Sequence, residues 1–196
     1  MSYLSIIIGF IFVENIVLAR FLGLCPFFGV SGDSKRALAF GISVTFIMSI
    51  ASLIAWLLYH LVLLPLNIEF LKLITFLLVI LLAVRLLELI LKKISSPLHS
   101  VMGTYFPLLS HNCLILGIAL IIIRKELNAV ESFIAGFAAG TGFLLVILFM
   151  SAIREHVRRE CVPKVLQGAP IALLSGALMA MAFLAFDSVL LNNLFG

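Results

Sequence analysis

Charged side chains are scarce in this sequence. Asp, Glu, Lys and Arg make up 11% of its 196 residues, under half the share of an ordinary soluble domain. With 64% hydrophobic residues and a mean hydropathy of +1.30, that scarcity excludes a soluble enzyme and reads as a polytopic membrane protein. Cysteine is sparse too: the three present, two of them inside apolar stretches, do not make a secreted disulfide framework. No polar stretch is long enough for a soluble domain, so any water-side cofactor pocket must come from partners. Met1-Ser2-Tyr3 lacks the positive charge of a signal peptide, and the apolar run behind it is too long for one. The first segment is therefore expected to stay and span. The net charge of +4 calls for no nucleic acid, because the basic residues sit in short loops, where they act as topology signals.

What is present is apolar sequence in long runs. Six stretches, 3–24, 38–63, 70–91, 98–123, 132–153 and 169–191, have about the 20-residue length that a bilayer demands. Turn and charge signals separate them: Ser31 to Arg36, Pro65 to Asn67, Lys92 to Pro97, Arg124 to Glu126 and Arg154 to Gly168. The predicted fold is an all-α membrane protein of six transmembrane helices, a single polytopic domain over 1–196.

Loops one, three and five carry Lys35, Arg36, Lys92, Lys93, Arg154, Arg158, Arg159 and Lys164, against Lys72, Arg124 and Lys125 on the other side. The positive-inside rule puts the odd loops in the cytoplasm and both termini outside. The halves, approximately 1–95 and 96–196, resemble each other. Each opens with an interrupted, cysteine-bearing segment, continues with a glycine-containing one (Gly41; Gly136, Gly140 and Gly142) and ends with a plainer one. Three segments per half make these inverted repeats, the plan of many transporters.

Helices 1 and 4 are the interrupted ones. Phe21-Leu22-Gly23-Leu24-Cys25-Pro26-Phe27-Phe28-Gly29 crowds glycines, a thiol and a proline into a membrane segment. Proline removes a donor and clashes with the preceding turn, so the helix is expected to break near Leu24, with Pro26 opening a new half-helix. Phe106-Pro107-Leu108-Leu109-Ser110-His111-Asn112-Cys113 repeats the arrangement. Backbone freed by such breaks is tolerated in a membrane only when buried in protein or lining a cavity. A lone buried cysteine is usually a small hydrophobe. Beside a helix start, Cys25 or Cys113 can also serve as a thiolate ligand. An iron–sulfur cluster normally takes four thiolates; two are available here, so such a site would be shared with another subunit. Cys161, in the basic fifth loop, reads as an unpaired loop thiol.

Polar residues within the spans are Glu14, Asn15, Arg20, Arg85, Glu88, His111, Asn112 and Asp187. Charges in a bilayer are expensive and mark ion paths or buried pairs. Arg85 and Glu88 stand three apart on one helix face, the spacing of a local ion pair. Glu14 has no partner at helical spacing, which makes it, with Asn15 and Glu88, a candidate for an ion path; a structural pairing is the competing reading. His111 and Asn112 are expected to cap freed backbone or to shape the surroundings of Cys113, and histidine ligation is a further option. Asp187 reads as solvated near the outer end of the last segment. Trp56 and Tyr59 fit an interfacial aromatic belt. Gly136 and Gly140 form a G-x-x-x-G, a packing signal.

These stretches resemble a known family. Phe12-Val13-Glu14-Asn15-Ile16-Val17-Leu18 followed by Phe21 to Phe27, Pro107-Leu108-Leu109 with Asn112-Cys113 and Leu116-Gly117, and Ala152-Ile153-Arg154-Glu155 with Val162-Pro163 and Ile171-Ala172-Leu173 are similar to the Rnf A / Nqr E family of ion-translocating oxidoreductase membrane subunits. The likeness runs essentially end to end. It implies a complex that passes electrons between ferredoxin and NAD while moving sodium ions or protons. Members of the A and E types pair in opposite orientations. By motif, Cys25 and Cys113 would be the iron ligands, holding a [2Fe-2S] cluster shared with the partner. Flavins belong to other subunits, and this chain carries no flavin-attachment motif. Two positions depart from the family pattern: Ser110-His111 stands where relatives often have Thr-Thr, and Glu14 where many have Asn.

The expected function is thus that of a membrane component of an ion-translocating ferredoxin:NAD oxidoreductase (Rnf) complex. Such a component is part of a translocase and is not catalytic alone. Its partners would be a homologous inverted subunit of the Rnf E type, the B, C, D and G subunits of Rnf, and membrane lipid. The place would be a bacterial or archaeal cytoplasmic (inner) membrane. The alternatives are the equivalent subunit of the sodium-translocating NADH:quinone oxidoreductase and, in a different class, a secondary transporter.

Overall fold

Backbone amides withdrawn from water must pair within their own segment, and every regular element among the described residues is helical. The structure is a computed structural model that describes residues 3–13, 15–64, 72–94, 112–159 and 168–195. Helix α1 (Tyr3–Ile8) widens into a π-helical turn, Gly9–Val13, and is followed by α2 (Ile16–Arg20) and α3 (Leu24–Val30). Helix α4 (Ser34–Leu58) ends in a second π-helical turn, Tyr59–Leu63. Then come α5 (Lys72–Ile94), α6 (Cys113–Arg124), α7 (Ala129–Arg159) and α8 (Ala169–Phe195).

Two helical stretches, Ser34–Leu61 and Ala129–Val157, are long and apolar enough to cross a membrane, and shorter apolar helices run at Leu73–Leu86, Cys113–Arg124 and Pro170–Phe183. Large apolar side chains on their outer faces, among them Ile42, Phe46, Ile74, Leu78, Phe137 and Met181, stand exposed, as lipid-facing residues do.

The first stretch differs most from expectation. Instead of one span broken once, residues 3–13 and 15–30 form three short α-helices and a π-helical turn, with α2 separate from the helices on either side. Helices α4, α7 and α8 extend the expected runs by a few residues, and α5 is displaced from its run by two to three. Arg154, assigned to the fifth loop, lies inside α7, because the basic tail of that segment keeps helical spacing beyond the bilayer-length core. For the fourth segment only Asn112 onward is described; Phe106–His111, like Glu14 and Cys161, lies outside the described residues.

The core is built on α4 and α7, which run antiparallel. Their contacts pair Ser34 with Ser151, and Gly41 with Leu144, Thr45 with Gly140 and Ser52 with Gly136. Lipid tails are as apolar as leucine, so helices in a membrane associate through close packing at small residues. A Cβ on Gly140 would come within 2.5 Å of Thr45 Cα, and one on Gly136 within 2.7 Å of the Met48 carbonyl oxygen. The G-x-x-x-G is therefore a backbone contact surface. Three buried hydroxyls of α4 on this seam stay within their own helix: Thr45 donates to Gly41 O at 2.8 Å, Ser49 to Thr45 O at 2.8 Å and Ser52 to Ser49 O at 2.9 Å. Phe40 and Phe143 close the layer edge to face at 6.2 Å.

Candidate functional site

The starts of α2 and α6 are capped in the same way. An Asn before an apolar run is a helix-start signal, because its side-chain oxygen can accept one of the orphan amides of the first turn. Asn15 (φ −61°, ψ 109°) accepts from Val17 N at 3.2 Å to start α2. Asn112 (φ −79°, ψ 108°) accepts from Leu114 N at 3.1 Å to start α6. Both are buried.

Their amide nitrogens fare differently. Asn15 Nδ2 donates to Ile11 O at 3.0 Å and to Gly142 O at 3.4 Å, whereas Asn112 Nδ2 is buried without a partner among the described residues. Gly142 gives the first break its room: a Cβ there would stand 3.2 Å from Phe10 O and 3.3 Å from Asn15 Nδ2.

The cysteine break follows α2. Phe21 (φ 53°) and Gly23 (φ 79°) both take left-handed backbone. The chain thus reverses out of α2, with Leu22 N reaching Ile16 O at 3.3 Å, and re-enters helix at Leu24. The break therefore falls just before the expected position, and Pro26 is the third residue of α3 instead of its first. Proline costs no hydrogen bond there, since the first four amides of a helix have no partner in it. Glycine carries the turn, because φ near +79° strains any side-chain-bearing residue.

Two reciprocal contacts lock this break against α6. A Cβ on Gly23 would lie 2.5 Å from Leu114 Cγ, and one on Gly117 would lie 2.5 Å from Leu22 Cδ2. Leu114 thus fills the notch over Gly23, and Leu22 fills the notch over Gly117. In that geometry Gly23 N donates to Cys113 Sγ at 2.9 Å. The sulfur at the start of α6 meets the backbone of this break, two residues before Cys25. Both thiols are free and exposed on the isolated chain, beside the exposed Phe21. An apolar cavity of about 110 Å³ flanks the half-helix, between Leu18, Leu24 and Phe28 on one side and Leu173 and Gly176 on the other.

The far end of α3 is held by α7. Arg154 Nη1 donates to Phe28 O at 2.7 Å and to the fully buried Ser31 Oγ at 2.8 Å. A cation suits the carbonyl end of a helix. The sequence marked Arg154 as a topology signal and as part of a family motif, and it did not reveal this role or the two glycine notches. The signal available for Asn15 was its position before an apolar run. Glu88 pairs with Arg85 at 3.0 Å on α5, the local ion pair that their spacing allows. Asp187 falls on α8.

The family described as "Rnf-Nqr subunit, membrane protein" matches residues 3–190. The chain belongs to the Rnf-Nqr family. It is 45% identical over 192 residues to the A subunit of the Na(+)-translocating ferredoxin:NAD(+) oxidoreductase complex of Acetobacterium woodii, covering 98% of this chain and all of that one. To the A subunits of the ion-translocating oxidoreductase complexes of Aeromonas hydrophila and Glaesserella parasuis it is 40% and 43% identical, covering 96% of this chain and 98% and 97% of theirs.

An iron–sulfur group normally takes four thiolates. Among the described residues there is no cluster of three or more His, Cys, Asp or Glu side chains. The Cys25 and Cys113 breaks supply two exposed thiols, half of the usual complement. The donor set fits such a group provided that a second subunit brings the other half.

Proposed function

We propose that this chain is an A-type membrane component of an ion-translocating ferredoxin:NAD oxidoreductase complex. It would conduct electrons through a [2Fe-2S] cluster shared with a homologous subunit. The observation that carries the reading is the Gly23–Cys113 contact, which joins the start of α6 to the break before Cys25 with both thiols exposed. End-to-end similarity to the A subunits of such complexes supports it. The chain is then part of a translocase without being catalytic alone.

When bound, the cluster would accept and release single electrons. Cys25 and Cys113 would hold its iron. The notches at Gly23 and Gly117 would fix the separation of the two breaks, and Arg154 would fix the end of α3. The remaining thiolates would come from an inverted partner of the Rnf E type, with the B, C, D and G subunits of Rnf completing the assembly and flavin confined to other chains. The same reading takes the chain as six spans in two inverted repeats, with both termini outside a bacterial or archaeal inner membrane. The antiparallel pairing of α4 and α7, the second segments of the two halves, supports that plan. The ion route would pass Glu14, Asn15 and Glu88.

Iron and sulfide analysis with electron paramagnetic resonance on the purified complex tests the reading. Cys25→Ser and Cys113→Ser should each abolish the signal, because serine is a poor substitute for the thiolate. Full metal content in both variants would refute it. Solute uptake by the chain alone, without iron, would favour a secondary transporter instead.

A further inference from the structure

The Gly23–Cys113 contact has consequences for electron energy as well as for architecture. Its donor is a peptide N–H, which has no rotamer and no titration, and it is held by three independent constraints. The left-handed backbone at Gly23, φ 79°, turns the chain from α2 into α3. Leu114 covers the Cα from one side, and the Leu22–Gly117 contact fixes the preceding residue. A Cβ at position 23 would both strain the turn and push against Leu114, so only glycine allows the donor its present approach of 2.9 Å. Cys113 itself is the first residue of α6, set by the Asn112 cap, so the acceptor has little freedom either.

We infer that the N–H of Gly23 is a built-in donor to the Cys113 sulfur, which makes Gly23 the residue that sets the redox poise of the site. This rests on the shared-cluster reading above. Hydrogen bonds to ligand sulfurs are among the main determinants of iron–sulfur potentials. A donor stabilises the more negative, reduced state and thereby raises the potential. The contact also makes Cys113 electronically dependent on the other break: any motion that separates α3 from α6 would weaken the donor and lower the potential at the same time.

Pulsed electron paramagnetic resonance on the whole reduced complex, labelled with ¹⁵N-glycine, tests this. The expected result is a glycine nitrogen coupled to the centre, together with an exchangeable proton that disappears in D₂O. Gly23→Ala should remove the exchangeable-proton coupling while leaving iron content unchanged. It should also shift the reduction equilibrium by about tenfold toward the oxidised state, which for one electron lowers the midpoint potential by about 59 mV. The double variant Gly23→Ala/Leu114→Ala relieves the collision and provides the same readout if the single variant does not assemble. A signal from the native labelled complex with no glycine coupling overturns the inference while leaving the cluster reading intact. Unchanged proton coupling and potential in the variants overturn it as well. Absence of any iron–sulfur signal in the native complex removes both.

Discussion

Arg154 and Phe28, 126 residues apart in sequence, meet over a 2.7 Å hydrogen bond from Nη1 to the backbone carbonyl. The carbonyl belongs to the last turn of the seven-residue half-helix that carries Cys25, a helix too short to persist by its own propensity. Its stability therefore comes from what holds its ends.

Arg154→Gln should weaken that hold. Hydrogen bonds from a charged donor contribute roughly 1.5–3 kcal/mol, and an abandoned buried acceptor adds a penalty; here Ser31 Oγ, fully buried, would also lose its donor. A loss of about 2–4 kcal/mol is expected, read as a lower unfolding temperature of the detergent-purified complex. Arg154→Lys should fall between, since an ammonium keeps the charge but not the planar fork. Equal stability of the Gln variant and wild type would refute the assignment.

Gly140→Ala tests the seam between α4 and α7. The new methyl would meet Thr45 Cα, which cannot rotate away as a side chain can. Overpacking typically costs about 1–3 kcal/mol, and contact with backbone puts this site at the upper end. Gly32→Ala, with nothing within 4 Å of its Cβ position, should be neutral. The level of assembled complex in membranes compares the two, and equal levels would mean that the helices are not in backbone contact.

In the sequence Glu14 follows the π-helical turn Gly9–Val13 and precedes the Asn15 cap. A carboxylate within a span is costly unless it is paired, protonated or hydrated. As an ion-path group it should respond electrostatically to an electron nearby. Glu14→Gln should then keep iron content and part of the electron transfer while lowering the ion-to-electron ratio in reconstituted vesicles. A normal ratio with reduced assembly would make Glu14 structural.

Much of this was legible in the sequence. Apolar runs of bilayer length marked α4, α5, α7 and α8 to within a few residues, because length and composition determine such helices. The Leu-Gly-Leu-Cys-Pro-Phe stretch marked the cysteine break, and the G-x-x-x-G marked the seam. What sequence did not show was pairing at long range. Leu114 over Gly23, Leu22 over Gly117 and Arg154 on Phe28 join residues far apart in the chain, and no local pattern encodes which leucine covers which glycine. The break before α2 escaped for another reason: within an apolar run, the π-helical turn and an Asn cap leave hydropathy almost unchanged.

The two capping asparagines provide the sharpest comparison. Replacement by alanine removes an N-cap in both cases, a loss of about 1 kcal/mol. At Asn15 it also frees Ile11 O and Gly142 O from the bonds that Nδ2 makes at 3.0 and 3.4 Å, adding roughly 1 kcal/mol for each. At Asn112 nothing comparable is lost among the described residues, because its buried Nδ2 has no partner there, and removing an unsatisfied donor offsets part of the cap. Asn15→Ala should therefore destabilise by about 2–4 kcal/mol and Asn112→Ala by at most about 1 kcal/mol. Thermal unfolding of the two purified variants in parallel measures the difference. If Asn112→Ala proves as damaging as Asn15→Ala, the equivalence of the caps and the idleness of Asn112 Nδ2 are both wrong.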